Sequence, residues 1–118
     1  MPVTITGFQA RAVAAPIKHP PRPASGVIDS AALILIDLQT NEGITGHTYL
    51  FAFSQSMLKP TVECFNAVCE LIMGDEASPL ETDSKLRKHF TLYDTHGILG
   101  QVLAGIDMAL WDIQAKRQ

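Results

Sequence analysis

Several features are scarce in this 118-residue sequence, and each absence excludes something. The basic residues form no cluster and the formal charge is −3, so the chain lacks the positive footprint that a phosphate backbone demands. Nucleic acid is therefore excluded as a partner. No apolar run approaches the ~20 residues that a membrane helix needs. The first seven residues are polar and β-branched rather than charged and then apolar, which does not match a secretory signal. A cytoplasmic location is the expectation. Cysteine is limited to Cys64 and Cys69, five apart on a predicted helix and hence roughly 140° apart around it. That geometry suits neither a mutual disulfide nor a zinc site, so free thiols in a reducing compartment are expected. His19, His89 and His96 have no companion histidine or carboxylate at a ligand spacing, which argues against a metal site built on them. There is no internal repeat. What remains, 47% apolar and 18% charged residues, is the composition of one folded domain with a real core.

The longest helical pattern is GILGQVLAGIDMALWDIQAK, residues 97–116. Leu99, Leu103, Ile106, Leu110 and Ile113 recur at steps of three and four and stack on one stripe. Gly105 and Ala109 form a narrower stripe of small residues, one turn apart, that lets another backbone come close. Ala104, Met108 and Trp111 add apolar character elsewhere around the helix, so burial on more than one side is expected. The helix ends in cations, where its dipole favours them, with no Gly or Pro stop signal after it. It is expected to join this domain to something the 118 residues do not contain.

The chain before it changes period once. Residues 3–14 alternate as a strand, with Gly7 breaking the phase as a bulge would. Residues 16–28 hold four of the seven prolines and are a long stiff loop, a length that inside a compact domain tends to be functional. Residues 30–40 are a second strand, with Ile34, Ile36 and Leu38 on one face and Leu33, Leu35, Asp37 and Gln39 on the other. Asn41, Glu42 and Gly43 make a hairpin turn into a third strand, residues 44–50. Asp37 is placed to pair with Arg11 across this sheet. From Ser54 the period becomes 3.6, with Leu58, Val62, Phe65, Cys69 and Ile72 on one stripe, Pro60 near its start and Gly74 at its end. Ser78, Pro79 and Glu81 signal the next helix, with Ser78 and Glu81 expected to form a capping box. The fold class is α+β: a three-stranded antiparallel β-meander followed by a three-helix bundle on one face of the sheet. The other face is then left with apolar residues that need a neighbouring domain or subunit.

Three segments together carry a family likeness: ITGFQARAV (residues 5–13), LILIDLQTNEGITGHTYLFAF (33–53) and AGIDMALWDIQAK (104–116). The chain resembles the amino-terminal capping domain of the mandelate racemase/muconate lactonising enzyme family, part of the enolase superfamily, and the run from Gly46 to Ala52 points to its mandelate racemase branch. The resemblance implies that residues 1–118 are a lid and that a β/α barrel follows beyond residue 118. The barrel would hold Mg²⁺ and the bases that take the proton α to the carboxylate of a small substrate, so no catalytic or metal-binding residue is expected in this chain. It also implies a homo-oligomer.

In such a lid, two loops close over the barrel mouth, dry the site and touch the distal part of the substrate. Here they correspond to residues 20–28 and 50–53. The implied substrate contacts are Pro21, Arg22, Ala24, Ile28, Phe51 and Phe53. Arg22 and its proline neighbours depart from the apolar pattern of mandelate racemase and suit a polar or anionic distal group. Racemase and dehydratase are not separated by these residues. Two readings from other classes stand beside this one. One is a non-enzymatic α+β module that dimerises through its apolar sheet face, and the other is a small independent enzyme using His47 and Tyr49.

Overall fold

The computed structural model describes residues 2–16, 30–52 and 54–118. Three strands, β1 (Ile5–Pro16), β2 (Ser30–Thr40) and β3 (Thr45–Ala52), pair antiparallel in the order β1-β2-β3. A 3₁₀ turn (Gln55–Met57) leads into α1 (Leu58–Glu70), followed by α2 (Pro79–His89) and α3 (Ile98–Arg117). This is the α+β meander and helical bundle expected from the periodicities.

The phase break at Gly7 is a register shift: Ile5 faces Thr40, but Gly7 already faces Gln39. The bulge keeps Ile5 and Phe8 on the helix side although they are three apart. A Cβ at Gly7 would lie 2.3 Å from the Gln39 side-chain oxygen, the end of a flexible exposed chain that would have to move aside. Gly43 sits at φ +75° in the β2–β3 turn, a conformation that favours glycine. One pairing was not legible in the sequence. Residues 74–77 run beside the start of β1, with Ile5 donating to the Asp75 carbonyl at 2.9 Å and Ala77 donating to the Val3 carbonyl at 2.7 Å. They cover the free edge of β1 at that end.

The helix-facing side of the sheet is sealed. Ile34, Ile36 and Leu38 are fully buried against Phe65, Val68, Cys69 and Ile72 from the α1 segment and Ile106, Leu110 and Ile113 from α3. Phe8 meets Phe65 edge-to-face with ring centroids 6.0 Å apart. The small stripe of α3 is what brings helix and sheet together. A Cβ at Gly46 would lie 2.2 Å from the Ala109 carbonyl oxygen and 2.8 Å from Ile113 Cγ1, and Gly105 lies over Leu50 and Ile36. Backbone meets backbone here because neither partner carries bulk.

Three local expectations need correcting. The 3.6-residue period from Ser54 is not one helix: a 3₁₀ turn comes first and the helix ends at Glu70, ahead of Gly74 at φ +83°, although Pro60 does fall near the start of α1 as expected. The capping box does not form, although Pro79 does open α2 and Ser78 is its N-cap. The Ser78 N–H already donates to the Glu76 carbonyl at 2.8 Å, so Glu81 has no donor to reach back to. His96 does have a carboxylate companion, its Nδ1 lying 2.9 Å from Asp94 Oδ1. One residue, Thr95, separates them, and the His96 backbone N–H also donates to Asp94 Oδ1 at 2.9 Å.

Candidate functional site

Of the six expected substrate contacts, Pro21, Arg22, Ala24, Ile28 and Phe53 lie outside the described residues; Phe51 lies within them. Phe51 is half-buried on the sheet face away from the helices. It pairs with Leu33, which in turn pairs with Val13, so the three form one apolar row across the strands. The register also says where the two expected loops depart. Pro16 pairs with Ser30, and Ala32 pairs with Ala52. The segment joining β1 to β2 and the segment following β3 therefore leave the sheet at the same end, the end that carries the Val13–Leu33–Phe51 row.

That end is held by α3. Gln101 Nε2 donates to the Phe51 carbonyl at 3.3 Å. At the far end of the same strand, Asp112 Oδ2 accepts from the His47 backbone N–H at 2.8 Å, and Lys116 Nζ donates to the Thr45 carbonyl at 2.8 Å. β3 is an edge strand, and these three side chains occupy backbone groups that would otherwise be open for pairing. They recur on one side of α3 because 11 residues are almost a whole number of helical turns. None of the three was singled out from the sequence for this role. Their spacing on the helix was visible there, but the strand beside it was not.

The opposite end of the open sheet face is ionic. His47 Nδ1 lies 2.7 Å from Asp37 Oδ1, and Arg11 approaches Asp37 Oδ2 at 3.8 Å, the cross-sheet pair expected from the alternation. His47 and Asp37 face each other directly in the register, so the contact is a cross-strand pair. Arg11, Asp37 and His47 thus form a polar cluster across the three strands on this face.

Charge on α3 itself is tuned in two directions. Asp112 is held below the usual carboxylate range, first by the Lys116 ammonium and then by the His47 backbone N–H. Asp107 is pushed up, first by burial and then by the nearby Asp83, with the Trp111 side chain and Arg87 working against the rise. The two do not form a joint site, in keeping with their separation around the helix. The thiols are poor nucleophiles: burial raises Cys64, and burial with Glu70 nearby pushes Cys69 up to about 12. Both are free. An open apolar cleft of about 370 Å³ is lined by Cys64, Val68, Leu71, Phe90, Tyr93 and Leu99, among others. Among the described residues no group of three or more His, Cys, Asp or Glu could hold a metal ion. No helix among them is long and apolar enough to cross a membrane.

The arrangement is thus a scaffold sealed on its helix side, with an apolar row at the end of the sheet where β1 ends and β2 begins. Comparison with known proteins identifies that scaffold. Residues 5–118 match the model of the mandelate racemase / muconate lactonizing enzyme N-terminal domain. An enolase from Bradyrhizobium, solved with magnesium and mandelic acid, is 39% identical with a TM-score of 0.92; the match covers 99% of this chain and 32% of that one. An enolase from the alpha proteobacterium bal199 with bound magnesium is 29% identical with a TM-score of 0.90, over 98% of this chain and 32% of that one. The L-talarate dehydratase of Polaromonas sp. JS666, solved with magnesium and L-glucarate, shares the fold at 19% identity and a TM-score of 0.83, over 98% of this chain and 32% of that one. The chain spans about a third of the length of these solved relatives. On this match the chain belongs to the mandelate racemase/muconate lactonizing enzyme family, and it corresponds to that family's amino-terminal domain.

Proposed function

We propose that this chain is the lid of a Mg²⁺-dependent enzyme that removes the proton α to the carboxylate of a small substrate, a racemase or a dehydratase. The observation that carries this reading is the 39% identity, over 99% of the chain, to an enolase solved with magnesium and mandelic acid. The departure of both expected loops from one end of the sheet supports it, because a lid must bring its contacts to one mouth. On this reading the ion and the bases are held by the part of a longer protein that the relatives have in addition, this chain covering 32% of the Bradyrhizobium enolase. The metal would stabilise the enediolate formed when the proton leaves.

What this chain's own residues do is exclude water and set which distal group is accepted. Drying the mouth strengthens every charge interaction inside it. Phe51, Phe53, Pro21, Ala24 and Ile28 supply apolar contacts to the substrate. Arg22 supplies a cation suited to a polar or anionic end. The carboxylate substrate is small, and the barrel is the lid's first partner.

The test is exchange of the substrate's α-proton with solvent deuterium by the full-length protein, with and without EDTA, on mandelate and on aldarates such as glucarate. Metal-dependent exchange is the expected result, and its absence on every α-hydroxy acid tried would overturn the reading. Deleting residues 20–23 should lower kcat/KM while Mg²⁺ affinity stays the same. A deletion that weakens metal binding as much as turnover contradicts the lid role.

A further inference from the structure

Two glutamines on α3 make the same kind of bond near opposite ends of the helix. Gln101 Nε2 donates to the Phe51 carbonyl at 3.3 Å, and Gln114 Nε2 donates to the Ala77 carbonyl at 2.8 Å. Both side chains are half-buried. The difference lies in what each carbonyl belongs to. Ala77 is in the segment beside the start of β1, whereas Phe51 is one residue from the end of β3 and stands in the apolar row of the open face. The placement of Gln101 is itself fixed. Its backbone N–H donates to the Gly97 carbonyl at 3.1 Å, and the next residue, Val102, has no accessible surface. Gly100 before it lies so close to the Thr95 carbonyl that a side chain there would collide.

Leu50 and Ala52 are buried on the helix side, which turns Phe51 between them toward the open face. Apolar packing of those two neighbours holds the strand end down, but it is non-directional. A hydrogen bond to a carbonyl has a preferred direction. The Gln101 amide therefore orients the peptide plane that follows Phe51, and with it the line along which the Phe51 ring leaves the strand. A group that meets substrate has to be held within about 0.5 Å of its productive place by bonds of this kind. We propose that Gln101 is a positioning residue for substrate selection: by holding the Phe51 carbonyl it aims the Phe51 ring at the distal end of the substrate, and so favours an acid with an aromatic distal end over a polyhydroxylated one. It takes no part in removing the proton. This rests on the reading of the chain as the lid of a longer enzyme, and on Phe51 as one of its substrate contacts.

The test is steady-state kinetics of the full-length protein on mandelate and glucarate, with Gln101→Leu, Gln101→Lys and Gln114→Leu compared. Where one acid is not turned over, its inhibition constant as a competitor takes the place of KM. Leucine keeps much of the bulk and loses the donor, whereas lysine keeps a donor on a chain of similar reach. Gln101→Leu is expected to raise KM for mandelate several-fold more than KM for glucarate, with kcat little changed. Gln101→Lys should restore most of that preference. Gln114→Leu, the matched loss at the other end of the helix, should lower Tm without moving the ratio of the two KM values. If Gln101→Leu fails to fold, Gln101→Glu, of the same length but with no donor for the carbonyl, is read in its place. An unmoved KM ratio would overturn the proposal, and so would a Gln114→Leu that shifts the ratio equally. Exchange of the α-proton by the unaltered protein separates the two readings. Its absence on every α-hydroxy acid overturns the lid and this proposal together, whereas exchange with an unmoved KM ratio overturns this proposal alone.

Discussion

The two faces of the three-stranded sheet were built to different standards. Toward the helices, Ile34, Ile36 and Leu38 have no accessible surface, and Gly46 lets α3 settle directly onto β3. Away from them, Val13, Leu33, Leu35 and Phe51 are only half-buried at one end, and Arg11, Asp37 and His47 hold one another at the other. One face is a finished core and the other is part apolar row, part charge cluster. The difference teaches that the first face carries most of the packing of this domain, which leaves the apolar end of the second available for a ligand or a neighbour.

The largest effect expected from breaking that asymmetry comes from truncation on the sealed side. Ile36→Ala should cost about 2–5 kcal/mol, because a fully buried isoleucine leaves a cavity the surrounding core does not refill. Leu35→Ala, one residue along on the open side, should cost roughly 1 kcal/mol. Urea denaturation of the two variants compares the faces directly, and equal losses would refute the distinction. Next comes overpacking: Gly46→Val should lose about 1–3 kcal/mol, since its Cβ collides with the Ala109 carbonyl and cannot be relieved by a rotamer change. Retained stability would show that α3 is not seated as described.

Two aspartates on α3 give smaller effects of opposite sign. Asp112→Asn should cost about 1 kcal/mol, because the residue's charged hydrogen bonds are partly solvent-screened. The carboxyl of Asp112 is held below its unfolded value, so its stabilisation is complete above the unfolded pKa of about 3.9 and is lost as pH falls through the lowered folded value. The variant should therefore show a flatter acid limb in the urea midpoint plotted against pH. Asp107 is raised instead, so its ionised form works against the fold at neutral pH and the penalty is relieved as pH falls through the raised value. Asp107→Asn should leave stability unchanged or add about 0.5 kcal/mol, with a gain that vanishes in acid. A loss at neutral pH would contradict the burial assigned to that carboxyl.

Most of the scaffold was legible before any coordinates. The alternation in residues 30–40 sorted Ile34, Ile36 and Leu38 from Leu33 and Leu35, and the small stripe at Gly105 and Ala109 announced a close neighbour without naming it. The opposing partner, Gly46, was hidden because backbone proximity between residues more than sixty apart leaves no periodic trace. The latch formed by Gln101, Asp112 and Lys116 was hidden for the same reason. The capping box failed because its signature counts residue types, whereas the Ser78 N–H was already engaged by a carbonyl from the preceding segment.

The period of the apolar residues, the proline-rich interruption and the three family-like segments were enough to determine the class of fold, the order of its elements and the family. Local chain geometry decides those, and local geometry is written in spacing. Which side of α3 meets the sheet, how the edge of β3 is closed and which face is left open were decided only in three dimensions. Each depends on where a distant backbone comes to rest, and a linear pattern carries no coordinate for that.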